Sequence, residues 1–347
     1  MDIPSSLLSA IRTFRASLDD KLYHVEHDTD MDGFASGIIT VAALRQLGYD
    51  AYPYAVERSK TFVPESGAVV FTDIALNGEP VATVRNAAEN GVYIYAIDHH
   101  PWDREIEETL HAYVNPHLLP DISEPSQWNA GLLAYLTFRD VVPHLAFLAA
   151  ISIYTDRCIT EWNRSFVEQF GMKDVIRAGE MLTAYIATNR DLSELDYLLL
   201  NEIHDMRDVL EQKEFIEAES KFESAVQKYI GDPKDYAQIY DVGKKIMVIR
   251  TEEHFRGLNS VISTRISEKD GYRDWIVVVY GLDEDGQHIK ASLRCQNWEK
   301  RTDVGELARE LAERLGGAGG GHPPAAGMRI PADKEEEFLK GFSRISK

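Results

Sequence analysis

Three aspartates on alternate residues mark the segment of this sequence where chemistry is easiest to foresee. Asp28, Asp30 and Asp32 lie in DTDMDG, residues 28–33. In an extended loop, alternate residues do not share one helical face, and carboxylates at this spacing suit hard cations. The same pattern begins a calcium loop, but Ile39 occupies the position of the required glutamate and an apolar helix follows at once. We therefore predict a divalent-metal site of another kind.

Five further residues can complete such a site, and each follows an apolar run: Asp73, Asp98, His99, His100 and Asp156. A set rich in carboxylates, with one or two imidazoles, favours Mn²⁺ or Mg²⁺ over zinc, which accepts thiolates more readily. Two ions about 3.5 to 4 Å apart would clamp a phosphoryl group and lower the pKa of a bridging water, which acts as the nucleophile. The chemistry predicted from these residues is phosphoester hydrolysis.

A parallel sheet is the element that can bring these residues together. Apolar runs and helical patterns alternate along the N-terminal part of the chain, which is typical of strand–helix–strand units. We predict helices over residues 7–18, 35–47 and 79–90, and strands over 22–26, 68–71 and 92–97. An aspartate closely follows each strand, and open α/β sheets bind ligands beyond the carboxyl ends of their strands. A fourth apolar run, Ala149–Asp156, is interpreted as either a strand or a helix.

Each of these residues also has a purely structural explanation. An aspartate after a strand often caps the next helix, and neighbouring histidines can simply be hydrogen-bonded in a loop. Taken singly, we favour that explanation. Taken together, four acidic chain segments beside a tandem histidine would repel one another without a cation, and folding does not need them. The combination therefore favours a metal centre.

The length of 347 residues exceeds what one hydrophobic core usually organises, which predicts two domains. From about residue 191 the pattern is helical and strongly charged, as in a connector without chemistry of its own. A second α/β domain begins near residue 236, with strands over 246–250, 275–280 and 288–293 and helices over 260–268 and 304–315. The predicted fold class is α/β, with an N-terminal parallel-sheet domain (1–190), a helical connector (191–235) and a smaller C-terminal domain (236–347).

The net charge of −20 limits the substrate. A strongly acidic surface repels a polyanion, which disfavours long duplexes but still allows a short chain of phosphates. Cys158 and Cys295 are the only cysteines, which indicates reduced structural thiols. The N-terminus lacks the apolar core of a signal peptide, and the longest apolar run, 145–154, is too short to span a bilayer. We expect a cytoplasmic protein without membrane contact.

These motifs, in this order, resemble those of the DHH phosphoesterase superfamily. DTDMDG is similar to the first motif of its RecJ-type members, and the second, third and fourth motifs correspond to Thr72-Asp73, Asp98-His99-His100 and Thr155-Asp156. Residues 319–327, GGGHPPAAG, resemble the glycine motif of the DHH-associated substrate-binding domain. The resemblance covers nearly the whole chain, and it implies a catalytic DHH domain followed, after the connector, by a substrate-binding domain.

The resemblance also implies two metal ions that share Asp73 as a bridging ligand. One would be held by Asp28, Asp30 and Asp73, and the other by Asp32, Asp73, His99 and Asp156. His100 would face the substrate and orient or protonate it near the scissile phosphate. Asp98 would fix the histidines by hydrogen bonding.

Two positions stay open at this point. His27 directly precedes Asp28, and some relatives use a histidine in place of the first ligand, so either residue can coordinate the ion; we favour Asp28. Arg157 directly follows Asp156, where it can contact a substrate phosphate or neutralise the acidic cluster.

The C-terminal motif implies the substrate contacts. Gly320 and Gly321 are expected in a loop whose backbone amides approach a phosphate, with His322 donating a hydrogen bond to it. Arg294 is similar to the substrate-domain arginine of the family, and a guanidinium suits bidentate phosphate contact. A flexible glycine turn and an exposed surface arginine are the alternatives.

The function predicted is a Mn²⁺-dependent phosphodiesterase, with Mg²⁺ as the other candidate ion, that releases mononucleotides from short single-stranded RNA or DNA or from linear dinucleotides. A homodimer is the oligomer we expect. A RecJ-like exonuclease on long strands is less favoured, because no OB-type strand set with interleaved aromatic and basic residues is visible. Hydrolysis of cyclic dinucleotides, pyrophosphate or polyphosphate, and a non-catalytic replication-associated scaffold, are the remaining alternatives.

Overall fold

The structure, a computed structural model, describes residues 3–56 and 63–343. The chain divides into two compact units, Met1–Glu219 and Ser220–Lys347. Both units combine strands and helices, which confirms the predicted α/β class. Within the described residues, no helix is both long enough and apolar enough to cross a membrane.

The first unit is built on a five-stranded sheet in the order β2-β1-β3-β4-β5, in which every neighbouring pair is parallel. Its strands are β1 (Leu22–His27), β2 (Asp50–Ala55), β3 (Ala68–Thr72), β4 (Tyr93–Ile97) and β5 (Ala112–Val114). The central strand β3 is buried along its whole length, as expected for a parallel sheet covered on both faces. The predicted parallel sheet is therefore confirmed.

Ten α-helices accompany this sheet among the described residues. They are α1 (Ser5–Ala16), α2 (Met31–Gln46), α3 (Glu79–Glu89), α4 (Ala130–Phe138), α5 (Ala146–Thr155), α6 (Arg164–Glu168), α7 (Met172–Thr188), α8 (Ser193–Asn201), α9 (Met206–Glu211) and α10 (Lys213–Gly231). Apolar side chains of α2, α4, α5 and α7 share one core with Val25 and Val70 of the sheet. Val81 and Val84 of α3 share a second core with Val69 and Phe71, which point to the opposite face.

Two details of the first unit differ from the sequence prediction. Helix α2 begins at Met31 and not at residue 35, because the side chain of Asp30 accepts a hydrogen bond from the backbone N–H of Gly33 and caps the helix. Asp32 therefore lies in the first helical turn, so the expected extended loop ends at Asp30. The run Ala149–Asp156 is the C-terminal part of α5 and its cap. The sequence allowed either a strand or a helix there, because a short run buried on all sides has no periodicity that distinguishes the two.

The second unit contains a six-stranded mixed sheet in the order β10-β11-β9-β8-β7-β6. Its strands are β6 (Ala237–Asp241), β7 (Ile246–Arg250), β8 (Ile276–Leu282), β9 (His288–Arg294), β10 (Ala318–His322) and β11 (Ala325–Pro331), with α11 (Leu258–Glu268), α12 (Val304–Arg314) and α13 (Glu335–Ser343). Strands β7 and β8 pair in parallel, and the other neighbouring pairs of this sheet are antiparallel. The three predicted strands and two predicted helices are all present.

The glycine motif forms a strand, where a loop was predicted. Residues 318–322 are β10, at the edge of the sheet and paired with β11. Gly320 and Gly321 have φ of 156° and 146°, which side chains rarely adopt. A Cβ on Gly319 would lie 2.5 Å from the carbonyl oxygen of Ala308, so glycine allows α12 to pack directly on the strand. The loop prediction was wrong because glycine is depleted in strands, so a run of glycines does not indicate a strand in the sequence.

The segment predicted as a connector contributes to both units. Leu195 and Leu199 of α8 are buried in the core of the first unit, whereas Val226 of α10 belongs to the second unit. The division between the units falls within α10. The predicted domain boundaries at residues 190 and 235 stay a prediction.

Candidate metal centre

Three neighbouring strands end at the same level of the sheet in the first unit. His27 of β1 is paired with Thr72 of β3, and Thr72 is paired with Ile97 of β4. Asp28, Asp73 and Asp98 are the next residues of the three chains. The parallel register thus places the three aspartates side by side at the carboxyl edge of the sheet, as predicted.

Side-chain oxygen and nitrogen atoms of seven residues come together at this edge. Within the described residues, three groups have ligand atoms that all lie within 4.8 Å of one another: Asp28, Asp30 and Asp73; Asp32, His99 and Asp156; and Asp73, His99 and His100. The first group has the same members as one ion-binding set implied by the family resemblance, and the second has those of the other set without Asp73. Asp73 belongs to the first and third groups, so it lies at their junction.

Asp73 is a buried carboxylate at the junction of two of these groups. Its Oδ1 atom lies 3.4 Å from Nε2 of His99 and 3.7 Å from Nδ1 of His100, and has no hydrogen-bond partner among the described residues. Burial, with the charges of Asp32 and Asp30, raises the pKa of Asp73 well above its ordinary value. An ionised Asp73 therefore requires a cation nearby.

Asp32 is held by a cradle of donors at the start of α4. Its Oδ1 atom accepts hydrogen bonds from Nδ2 of Asn129, the backbone N–H of Gly131 and the hydroxyl of Ser152, over 2.7, 2.7 and 2.8 Å. Its Oδ2 accepts one from the backbone N–H of Ala130 and lies 3.7 Å from Nε2 of His99. Burial raises the pKa of Asp32 to about 6, although the Gly131 bond opposes this.

The donors to Asp32 include residues that the sequence analysis did not single out. Asn129 and Ser152 are buried polar residues at the N-terminus of α4 and within α5. Each is a lone polar residue beside or within an apolar stretch, a pattern that carries no spacing signal. A Cβ on Gly131 would lie 2.2 Å from Oγ of Ser152, so only glycine leaves room for the hydroxyl that donates to Asp32.

Asp98 and His100 form a hydrogen-bonded pair. Nδ1 of His100 lies 2.8 Å from Oδ1 of Asp98, and Nε1 of Trp102 donates to Oδ2 over 2.6 Å. The carbonyl of His100 accepts a hydrogen bond from Nδ2 of Asn115. Burial alone would raise the pKa of Asp98, but the hydrogen bonds from His100 and Trp102 lower it below its ordinary value. An ionised Asp98 keeps the proton on Nδ1, so the neutral ring offers Nε2 as its acceptor.

Asp156 reaches the centre from the C-terminal end of α5. Its Oδ2 atom lies 3.8 Å from Nε2 of His99 and accepts a hydrogen bond from the thiol of Cys158 over 3.0 Å. Burial raises the pKa of Asp156. Burial and the hydrogen bond to Asp156 raise the pKa of the Cys158 thiol. The predicted structural thiol therefore contacts a candidate ligand. Arg157 is exposed with φ of 58°, and its contact with a substrate phosphate or neutralisation of the acidic cluster stays a prediction.

His27 differs from the neighbouring Asp28 in its surroundings. The ring is fully buried, with Nδ1 2.9 Å from the carbonyl oxygen of Asp28 and Nε2 3.0 Å from Oδ1 of Asp196. Both ring nitrogens thus have protein partners. The Asp28 carboxylate lies instead with Asp30 and Asp73.

In the second unit, two predicted substrate residues lie in one row across the sheet. Arg294 of β9 is paired with Ala325 of β11, and Ala325 is paired with His322 of β10. Directly paired residues share a face of the sheet. Arg294 is partly buried and donates to Oγ1 of Thr264 and Oγ of Ser260 on α11, whereas His322 is exposed. Gly320 and Gly321 lie next to His322 on the edge strand.

The donor set fits hard divalent cations. It combines five carboxylates with two imidazoles, and one buried carboxylate oxygen has no partner among the described residues. Oxygen-rich sets of this kind suit Mn²⁺ and Mg²⁺.

Two family models match the chain. The model for the DHH family, N-terminal domain, matches residues 21–146, and the model for the DHHA1 domain matches residues 243–347. The chain therefore belongs to the DHH superfamily of phosphoesterases. This confirms the resemblance found in the sequence motifs. None of the curated proteins compared with this chain matches its sequence.

Solved structures share the fold over almost the whole chain. The DHH domain of a member of the s1p family of ribosomal proteins has a TM-score of 0.69 and 18% identity, covering 99% of this chain and 92% of that one. Exonuclease RecJ bound to manganese has a TM-score of 0.69 and 19% identity, covering 99% and 96%. The pGpG-specific phosphodiesterase PggH from Vibrio cholerae has a TM-score of 0.52 and 13% identity, covering 93% and 97%. At these identities the likeness establishes the fold.

Proposed function

We propose that this protein is a two-metal phosphodiesterase that hydrolyses short single-stranded oligonucleotides or linear dinucleotides to mononucleotides. The observation that carries the proposal is the position of Asp73, a buried carboxylate at the junction of two ligand groups, whose Oδ1 has no hydrogen-bond partner among the described residues. A carboxylate so placed can bridge two cations. The manganese bound by RecJ, which shares this fold, supports Mn²⁺ as the ion to test first.

The residues would divide into two ligand sets. Asp28, Asp30 and Asp73 would hold one ion, and Asp32, Asp73, His99 and Asp156 the other. When bound, two such ions polarise the phosphoryl group and lower the pKa of the attacking water. The hydrogen bonds to Asp32 come from the protein itself and orient this carboxylate.

His100 and Asp98 would act beside the ions. The hydrogen bond to Asp98 holds the His100 ring in one orientation and stabilises its protonated form. A protonated His100 can donate a proton from Nε2 to an oxygen of the scissile phosphate. Its Nδ1–H meanwhile keeps the hydrogen bond to Asp98. His100 is thus the proposed proton donor, and Asp98 its positioning residue.

The second unit would hold the substrate. The guanidinium of Arg294 and the ring of His322 share one face of the sheet, and each can donate hydrogen bonds to phosphate oxygens. Gly320 and Gly321 would let a substrate approach the backbone of the edge strand. The net charge of −20 opposes long polyanions, which supports a short substrate.

The test is release of mononucleotides from labelled RNA and DNA, from dinucleotides to strands of about twenty-five residues, with Mn²⁺, with Mg²⁺ and with chelator. We expect metal-dependent cleavage that is strongest on the shortest substrates. Asp73→Ala should abolish it, whereas Asp270→Ala, which removes an exposed aspartate of the second unit, should not. Cleavage of long strands only would favour a RecJ-like exonuclease.

Absence of cleavage throughout the panel would contradict the proposal. Phosphate release from pyrophosphate or polyphosphate, or opening of a cyclic dinucleotide, would then identify another substrate for the same centre. Partner binding that survives Asp73→Ala, without any hydrolysis, would identify a scaffold.

A further inference from the structure

We propose that Asp196 of α8 is a positioning residue for the metal centre, acting on Asp28 through the ring of His27. This inference rests on the proposed function. It gives a role to a helix in the segment that the sequence analysis interpreted as a connector without chemistry.

A continuous hydrogen-bond chain joins Asp196 to the metal loop. Oδ1 of Asp196 lies 3.0 Å from Nε2 of His27, and Nδ1 of the same ring lies 2.9 Å from the carbonyl oxygen of Asp28. A carbonyl oxygen can only accept, so Nδ1 carries a proton and donates it. The other nitrogen then shares a proton with Asp196 or accepts one from it. In either state the chain is complete.

The chain lies in the interior of the first unit. His27 is fully buried and Asp196 is 6% exposed, so water does not compete for these bonds. A buried polar pair is costly to break, because each partner would be left unsatisfied. The pair therefore holds the ring to α8 strongly.

Packing fixes the ring of His27 from the side of α2. A Cβ on Gly37 would lie 2.5 Å from Cδ2 of His27, so the ring uses the space that this glycine leaves. The ring of Phe34 lies 4.6 Å away between centroids. With these contacts from α2 and both nitrogens hydrogen-bonded, the ring has one orientation.

The oriented ring of His27 in turn fixes the backbone of Asp28. Its carbonyl oxygen is held by His27, and the same oxygen would lie 2.3 Å from a Cβ on Gly33, so the backbone is closely packed there. Its side chain accepts a hydrogen bond from the backbone N–H of Thr29 over 2.6 Å and lies in one ligand group with Asp30 and Asp73. A shift of the Asp28 backbone would move a candidate ligand oxygen relative to Asp73.

The neighbouring Leu195 provides a matched control. It is fully buried on the same helix, but its side chain is apolar and belongs to the core. Leu195→Ala removes packing from α8 and keeps the hydrogen-bond chain. Asp196→Asn keeps the shape and can still bond to Nε2, whereas Asp196→Ala removes the bond.

The experiment is titration of each purified full-length variant with Mn²⁺ alone, by calorimetry, at a temperature where circular dichroism shows every variant folded. We expect Asp196→Ala to weaken Mn²⁺ binding about tenfold or more, as loss of a residue that orients a metal ligand commonly does. Asp196→Asn should recover most of the affinity, and Leu195→Ala should bind as the wild type does while melting at a lower temperature.

Two results would overturn the inference alone: wild-type Mn²⁺ affinity in Asp196→Ala, or an equal loss in Leu195→Ala. If Asp196→Ala does not fold, His27→Gln takes its place, and wild-type Mn²⁺ affinity in His27→Gln overturns the inference. No Mn²⁺ binding by the wild-type chain would overturn the proposed function and this inference together.

Discussion

Nδ1 of His100 lies 2.8 Å from Oδ1 of Asp98, a carboxylate that is fully buried and also bonded to Trp102. The carboxylate directly follows β4 and holds the histidine that we propose as the proton donor. The geometry resembles the carboxylate–imidazole pairs that hold a histidine in one tautomer elsewhere in enzymology. The first prediction tests it.

Asp98→Asn should lower kcat on a dinucleotide about 10- to 100-fold with little change in KM. The amide is a weaker acceptor for Nδ1–H and cannot stabilise a protonated ring, but it contacts no substrate. Steady-state kinetics with Mn²⁺ measure both constants. Asp103→Asn, the same change at an exposed position of the following loop, is the control and should be silent. An unchanged kcat in Asp98→Asn would show that His100 does not depend on this pair.

Metal binding should raise the melting temperature of the wild-type chain, because an ion that binds only the folded state stabilises it. Asp73→Asn should lose most of this gain, since the bridging carboxylate is gone. Thermal denaturation with chelator and with saturating Mn²⁺ provides the comparison. Equal gains in both proteins would exclude Asp73 as a ligand.

Without metal, Asp73 should make the protein less stable as pH rises. Burial and neighbouring carboxylates raise its pKa well above the ordinary 3.8, so the folded chain holds this proton more tightly than the unfolded chain. The contribution to stability is fully present below pH 3.8, and it is lost as pH rises from there through the raised pKa of the folded state. Asp73→Asn cannot ionise, so its advantage over the wild type should grow from about pH 4 upwards. Urea unfolding in chelator at several pH values measures the difference, and a constant difference would contradict the prediction.

Gly131→Ala should destabilise the first unit by about 1 to 3 kcal/mol, because overpacking forces the surroundings to move. The new Cβ would lie 2.2 Å from Oγ of Ser152, one of the donors to Asp32. Mn²⁺ affinity should fall with stability. Gly231→Ala, where a Cβ would meet nothing within 4 Å, is the control for adding a methyl group. Urea denaturation of the two variants would contradict the prediction if both matched the wild type.

Arg294→Lys should raise KM for a dinucleotide about tenfold and change kcat little, because lysine cannot reproduce a bidentate phosphate contact. The bonds to Thr264 and Ser260 hold the guanidinium in place, so the loss should be specific. Arg309→Lys, on the exposed side of α12, is the matched control. A kcat effect without a KM effect would assign Arg294 a different role.

Much of the candidate metal centre could be predicted from sequence because several of its residues follow a repeated pattern. Asp28, Asp73 and Asp98 each come after an apolar run, and the parallel register then places them together. Asp156 could be predicted as a site residue whether its element is a strand or a helix, because an acidic residue follows an apolar run in either case.

Other parts of the site had no such pattern. Asn129 and Ser152 contact Asp32, and Asp196 contacts His27, from segments far along the chain. Each is a single polar residue whose partner only the tertiary fold brings near. The strand formed by Gly319–Gly321 was missed for the opposite reason, since its residue type indicates a turn and only the close packing of α12 explains it.

The backbone of Asp73 adopts φ of 59°, in the left-handed region. This conformation costs most residues about 1 to 2 kcal/mol, while glycine, asparagine and aspartate tolerate it. A saturation library at codon 73 should therefore separate two requirements. Asparagine and glycine should accumulate as well-folded, inactive clones, whereas glutamate, despite its carboxylate, should be lost from the soluble fraction together with the β-branched residues.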